Sequence, residues 1–133
     1  AFFPPGTQSP LYASGIGKAM MAQFSPARLK ALLERSTLTR FTTTTLTDPA
    51  AIYQDLAEIR RRGYAIDDEE RTEGMRCVAA AIFNAPGDPI GGISVSGPSG
   101  RMSAQVIAKA GALVHEAAAQ ITHSLGGGSG ASR

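Results

Sequence analysis

The side chains that could take part in chemistry gather in two segments. The first, GYAIDDEERTEGMRCVAAA over residues 63–81, carries a run of carboxylates and then Cys77, the single cysteine. The second, ISVSGP over residues 93–98, carries Ser94 and Ser96. Alternate residues of a strand point to the same face, so the two hydroxyls share one side. A carboxylate, a thiol and two hydroxyls within an apolar wall suit the binding of a small polar ligand better than catalysis.

Each of these residues also has a plainer interpretation. Cys77 could be a small buried hydrophobic residue. A nucleophilic thiol needs a basic partner, and the neighbouring Arg76 points to the opposite face of the strand. Ser94 and Ser96 could instead satisfy nearby backbone groups. The acidic run is typical of a solvated loop, in which we single out Asp67 alone.

The overall composition indicates an ordinary globular domain. The chain has 133 residues, of which 43% are hydrophobic and 18% are charged, enough for one modest core. A net charge of +2 is too small to indicate nucleic-acid binding. One cysteine excludes a disulfide framework, and no spacing of metal ligands appears. Without a long apolar run or a signal segment, we expect a cytoplasmic protein with no membrane association, cofactor or metal.

The N-terminal half predicts three helices with recognisable starts. Ser14 can cap a first helix, and Ser25-Pro26 and Asp48-Pro49 each combine a capping residue with proline at the first helical position. Arg60–Arg62 complement the negative end of the third helix, and Gly63 fits its stop. The threonine-rich residues 36–47 are compatible with either an extended segment or a loop.

The C-terminal half predicts strands and then one long helix. A short strand at Tyr64–Ile66 precedes a long one at Arg76–Phe83, and the turn sequence NAPGD joins this to a strand at Ile90–Ser96. Phe2–Phe3 is a weak fourth candidate. The pattern predicts an α+β domain with an antiparallel sheet that has few strands relative to the number of helices that cover it.

The long helix begins at Ser103 and ends near Gly126, and residues 126–133 are expected to form a flexible tail. Its predicted buried face comprises Val106, Ile107, Ala110, Leu113, Val114, Ala117 and Ile121.

Four segments together resemble the effector-binding domain of IclR-type transcriptional regulators. They are LYASGIGKAMMAQF from Leu11, LTDPAAIYQDLAEIRRRGYAIDDEE ending at Glu70, GMRCVAAAIFN from Gly74, and GGISVSGPSGRMS ending at Ser103. The resemblance covers roughly residues 9–125 and depends on the combination, since each segment alone is weak. The details are most similar to the acetate operon regulator type, which responds to glyoxylate and pyruvate.

This resemblance implies a GAF-like fold, with a curved antiparallel sheet flanked by helices. It implies a repressor or activator that forms dimers or tetramers. DNA would be bound only through an N-terminal winged helix-turn-helix that these residues do not contain. The family's domain also begins with a helix and two strands before the LYASGIGK helix, so we expect the domain at residues 1–125 to be incomplete at its N-terminal side.

The resemblance also implies a ligand pocket. Its lining would be Gly15, Ile16, Asp67, Met75, Cys77, Ser94 and Ser96, with Met75 as an apolar wall. The expected effector is a small carboxylate or an aromatic acid, for which hydroxyls and the N–H groups of a helix start are suitable donors. An ionised Asp67 would repel such a ligand, which leaves its identity open. The alternatives are a GAF-like cysteine-dependent enzyme and a pure oligomerisation module.

Overall fold

The computed structural model describes residues 11–127 and has α+β architecture. Its helices are α1 (Gly15–Met21), α2 (Pro26–Arg35), α3 (Pro49–Arg62) and α4 (Ala104–Ser124), its strands are β1 (Ala65–Asp68), β2 (Met75–Phe83) and β3 (Pro89–Pro98), and short 3-10 turns span Leu11–Ala13 and Ser99–Arg101. The strand predicted at Phe2–Phe3 and most of the predicted tail lie outside the described residues. Among the helices described, none has the length and apolarity needed to cross a membrane.

The helix starts follow the capping residues in the sequence. The side chains of Ser14, Ser25, Asp48 and Ser103 each accept a hydrogen bond from a backbone N–H in the first turn of the helix that follows. Helix α3 ends at Gly63, whose φ of 91° lies in the left-handed region that glycine adopts without strain. The predicted starts of the four helices and the predicted end of α3 are therefore confirmed.

The described sheet has three antiparallel strands in the order β1-β2-β3. Strand β1 begins one residue later than predicted and extends to Asp68, and this places Asp67 directly opposite Cys77. On the other side of β2, Cys77 lies opposite Ser96, and Ala79 lies opposite Ser94. The predicted hairpin of β2 and β3 is confirmed, and the register brings polar residues of all three strands into one row.

Helices cover both faces of the sheet because side chains alternate along β2. Ala79 packs with α1, α2 and α3 in the larger core. Val78 and Ala80 point the other way and pack with Val114 and Ala118 of α4. Cys77 shares the α1 face with Ala79, whereas Arg76 shares the α4 face.

The predicted buried face of α4 is partly wrong. Val106, Leu113 and Ile121 are exposed, whereas Gly111 and Thr122 are buried with Val114 and Ala118. The reason is close packing: a methyl group added at Gly111 would overlap the ring of Tyr64. Small residues let α4 approach the sheet closely. They therefore occupy the buried face of α4, where the apolar pattern predicted larger side chains.

The threonine-rich residues 36–47 form an irregular segment that binds the acidic turn between β1 and β2. Thr42 and Thr45 are buried. The hydroxyl of Thr42 donates to the carbonyl of Glu69 at 2.5 Å, and that of Thr45 donates to the carbonyl of Glu70. The segment therefore fixes the turn that follows Asp67.

Candidate functional site

An open cavity of about 250 Å³ lies between the start of α1 and the α1 face of the sheet. Every residue predicted for the site lines it: Gly15, Ile16, Asp67, Met75, Cys77, Ser94 and Ser96. Ser14, Arg71, Thr72 and Arg76 contribute to the same wall. The structure thus brings together residues that are separated by up to 82 positions in the sequence, from Ser14 to Ser96.

The start of α1 lies against β2 because Gly15 has no side chain. A Cβ at this position would lie 2.9 Å from the sulfur of Cys77 and 3.3 Å from the Cβ of Ala79. The helix has only 7 residues, and its N-cap Ser14 already accepts the N–H of Gly17 at 2.9 Å. The main polar groups that face the cavity are therefore side chains of the sheet rather than the start of α1.

The polar floor of the pocket is a cross-strand row of carboxyl, thiol and hydroxyl. Asp67, Cys77 and Ser96 occupy paired positions on three adjacent strands. Ser94 adds a second hydroxyl two residues before Ser96, on the same face. Such a row offers donors and acceptors within reach of one small molecule.

Cys77 is poorly suited to nucleophilic chemistry. Burial raises the pKa of its thiol above the ordinary value of 9.0, and the nearby charge of Asp67 raises it further, although hydrogen bonds with Ser96 and Ser94 lower it. The thiol is therefore protonated at neutral pH, whereas a reactive cysteine needs the thiolate. This favours a role for Cys77 in lining the pocket.

The carboxyl of Asp67 is partly shielded from water. Burial raises its pKa, while the backbone N–H of Glu70, at 2.8 Å from Oδ1, and the charge of Lys18 lower it. A raised pKa means that this carboxyl takes up a proton more readily than one at the surface. This reduces the repulsion that an anionic ligand would meet.

Beside the pocket, a buried ion cluster joins α1, α3 and the acidic turn. Lys18 has 2% of its side chain exposed, and its Nζ lies 2.8 Å from Asp55 and 2.7 Å from Glu70. The ammonium group also donates to the carbonyl of Ile66. Because Asp67 accepts a hydrogen bond from Glu70, the cluster is continuous with the pocket wall.

The prediction that the acidic run is solvated is wrong for Glu70. Its side chain is buried, and burial raises its pKa to about 7 against the opposing effect of Lys18. Nothing near Glu70 in the sequence indicates this, since Lys18 comes 52 residues earlier. Lys18 stands in an apolar helix without a partner close in sequence, and Arg71 lies in a turn, so both were missed as parts of the site.

The remaining charged residues give no evidence of a metal centre. Across residues 11–127 no group of three or more His, Cys, Asp or Glu side chains is placed to hold a metal ion.

Comparison with known proteins defines the class of protein to which the chain belongs, because the relatives found are transcriptional regulators. Residues 3–123 match the family model described as bacterial transcriptional regulator IclR C-terminal. The chain belongs to this family, as the sequence motifs predicted. It is 54% identical over 125 residues to the HTH-type transcriptional regulator BhcR of Paracoccus denitrificans, and 43% identical over 124 residues to the transcriptional repressor IclR of Escherichia coli. These matches cover 94% and 93% of the chain, respectively, but 45% of each relative.

A solved structure supports the same assignment. The fold matches the crystal structure of the C-terminal domain of the E. coli transcriptional regulator KdgR with a TM-score of 0.85 and 36% identity. The match covers 91% of this chain and 74% of that domain. The chain therefore spans about half the length of the curated relatives and most of an isolated C-terminal domain.

Proposed function

We propose that the pocket binds a small organic acid and that the domain is the effector sensor of a DNA-binding transcriptional regulator. The observation that carries this proposal is the row of Asp67, Cys77 and Ser96 on the floor of the pocket. A cavity of about 250 Å³ is slightly smaller than the roughly 300–1,000 Å³ of typical ligand pockets. Its size favours a small metabolite.

The chemistry of the wall suits an acid that carries a second polar group. Ser94 and Ser96 donate to a carboxylate or a carbonyl oxygen, and Asp67 accepts from a hydroxyl group. Ile16 and Met75 supply apolar contact. A small carboxylate or a compact aromatic acid would satisfy these groups.

The effector would act by changing how the whole regulator binds its operator. We propose that DNA is read by a helix-turn-helix outside these 133 residues, since the relative BhcR, of which this chain covers 45%, is named an HTH-type transcriptional regulator. A ligand shifts such an equilibrium only if it binds the two states unequally. We propose that closure of α1 onto the sheet alters the geometry between subunits, and with it the spacing of the DNA-binding domains.

Calorimetric titration of the full-length protein tests the pocket. Glyoxylate, pyruvate and a set of benzoic acids are suitable probes, and the one that binds should also raise the thermal midpoint. The double variant Ser94→Ala/Ser96→Ala should weaken binding roughly 5- to 150-fold, because two hydrogen bonds of about 0.5–1.5 kcal/mol each are lost.

Ser124→Ala is the matched control. Ser124 is exposed at the far end of α4 and donates only to its own helix, at the carbonyl of Gln120. This variant should bind the acid as the wild type does. Equal binding by the double variant, or no binding of any acid by the wild type, would contradict the pocket assignment.

A second role as an oligomerisation surface is favoured by the exposed face of α4. Val106, Leu113 and Ile121 are 42%, 64% and 39% exposed, and spacings of seven and eight residues place them on one side of the helix. Apolar side chains in such a stripe commonly pack against a second copy.

Leu113→Glu is expected to lower the molecular mass of the full-length protein in sedimentation velocity, because a charge in an apolar interface opposes association. Ala112→Glu, at the neighbouring exposed position, should leave the mass unchanged. An unchanged mass for Leu113→Glu would show that this face is not the oligomer contact.

A further inference from the structure

We infer that the side chain of Ile16 limits the size of the acid that this pocket accepts, an inference that rests on the proposed function. Ile16 is the second residue of α1, is half-buried, and lines the pocket beside Gly15. The proposed function leaves both small carboxylates and compact aromatic acids open. The inference selects the small carboxylates and names the residue that excludes the larger acids.

The side chain of Ile16 lies over Gly92 of β3. A Cβ added at Gly92 would lie 2.9 Å from Cγ2 and 3.3 Å from Cγ1 of Ile16. Gly92 comes two residues before Ser94, so it lies on the face of β3 that carries the hydroxyls of the pocket. Both branches of Ile16 therefore fill the space next to Ser94 where a side chain of residue 92 would stand, and they close that end of the pocket.

The closed end leaves room for a short ligand. On the same face of β3, Ser96 lies about 7 Å from Ser94 along the strand, at roughly 3.4 Å per residue. Beyond Ser96 the wall is formed by Met75, which pairs with Pro98. An acid that bonds to both hydroxyls has Ile16 on one side and Met75 on the other, so a bulky group on the acid meets an apolar wall at either end.

Two features keep Ile16 in place. Isoleucine is branched at Cβ, and within a helix such a side chain has one strongly preferred χ1 rotamer. The preceding residue, Gly15, is packed so closely on β2 that a Cβ there would lie 2.9 Å from the sulfur of Cys77, and Ile16 itself packs against the larger core. A ligand therefore moves this wall aside only by disturbing packed side chains.

Shortening Ile16 would extend the pocket over small residues. Ile16→Ala removes the Cγ1, Cγ2 and Cδ1 atoms. The strand residues at that end are Gly92 and, opposite it on β2, Ala81. The space that the branches leave is an apolar recess next to Ser94, and such a recess suits an aromatic ring. The variant should therefore accept acids that the wild type excludes.

Calorimetric titration of the full-length protein with a graded series of α-keto acids tests the size limit. Glyoxylate, pyruvate and phenylpyruvate share the keto-acid group and differ in the substituent beyond it, which is hydrogen, methyl or benzyl. The wild type should bind phenylpyruvate at least about tenfold more weakly than the tighter of the two small acids, because one methylene of misfit in an apolar pocket already changes discrimination about 10- to 200-fold. In Ile16→Ala this ratio of dissociation constants should fall at least about tenfold. Ile16→Val keeps both branches and loses only Cδ1, so the ratio should fall less.

The ratio of two dissociation constants measured on one variant keeps the test valid if Ile16→Ala is less stable. A lower fraction of binding-competent protein weakens the binding of both acids by the same factor, so the ratio is unaffected. Ile107→Ala is the matched control. Ile107 is also half-buried, but it lies on α4 and packs with Val78 and Ala80 on the opposite face of the sheet. This variant should retain the wild-type ratio.

The outcomes separate the two proposals. If the wild type binds phenylpyruvate or benzoic acid as tightly as the small acids, the size limit is overturned and the sensor function stands. A wild-type ratio retained by Ile16→Ala would show that another group excludes the larger acids, and would overturn the role of Ile16. Binding of no acid by the wild type overturns the sensor function and this inference together.

Discussion

Lys18→Met is expected to lower the free energy of unfolding by about 3–5 kcal/mol at pH 8, because it leaves two carboxylates without their buried cation. Lys18 is 2% exposed and contacts Asp55 at 2.8 Å and Glu70 at 2.7 Å. Methionine fills a similar volume, so the loss measures charge rather than a cavity. Urea denaturation of the full-length protein gives the change from the shift in the transition midpoint.

The loss of stability caused by Lys18→Met should be smaller at pH 5 than at pH 8. The direction of this pH dependence follows from the protonation of Glu70. Its pKa rises from 4.5 to about 7 in the folded protein because burial outweighs the attraction of Lys18. The folded state therefore holds a proton that the unfolded state releases between these pH values. The contribution of Glu70 to stability is complete below about 4.5 and is lost as the pH rises through about 7. Without Lys18, the pKa of Glu70 rises further, because the attraction of the ammonium group is lost. At pH 5 the variant therefore buries a neutral Glu70 carboxyl, which costs less free energy than burying the carboxylate.

Lys30→Met provides the comparison. Lys30 has 73% of its side chain exposed and lies 3.9 Å from Glu34 in the same helix. Such a surface pair contributes about 0.5 kcal/mol or less. A loss for Lys18→Met as small as that for Lys30→Met, at both pH values, would show that the cluster does not stabilise the fold.

The features that could be predicted from the sequence are those with local causes. The capping side chains of Ser14, Ser25, Asp48 and Ser103 determine where helices begin, since each bonds within one turn of its own position. Strand alternation likewise placed Ser94 and Ser96 on one face.

The features that were missed depend on contacts between distant segments. Lys18 and Asp55 are 37 residues apart, and neither carries a local pattern that indicates the other. The burial of Glu70 follows from Lys18 and from the threonine segment, not from its acidic neighbours. The buried face of α4 depends on how closely Gly111 lets the helix approach Tyr64, and a periodic apolar pattern does not contain that distance.

Gly15→Ala should lower the free energy of unfolding by about 1–3 kcal/mol, because the added methyl group has no room. It would lie 2.9 Å from the sulfur of Cys77 and 3.3 Å from the Cβ of Ala79, so either the sulfur or the start of α1 must shift. Alanine has a higher helix propensity than glycine, so the substitution would otherwise stabilise α1. A loss of stability therefore measures the steric contact between residue 15 and the sheet. Because Gly15 and Ile16 line the pocket, binding of the effector acid should weaken as well. Urea denaturation and calorimetry measure the two effects.

The energetic effect of the contact between residue 15 and the sulfur of Cys77 can be measured separately by replacing Cys77 with alanine. In Gly15→Ala/Cys77→Ala the nearest remaining atoms are the Cβ of Ala79 at 3.3 Å and that of residue 77 at 3.7 Å, which need only a small adjustment. The double variant should lose less stability than the sum of the single variants, with a coupling of about 1 kcal/mol. Gly91→Ala, where a Cβ would meet nothing within 4 Å, should change stability by a few tenths of a kcal/mol at most. Additive losses would show that the start of α1 does not lie against Cys77, and the pocket would then lack the wall opposite its polar floor.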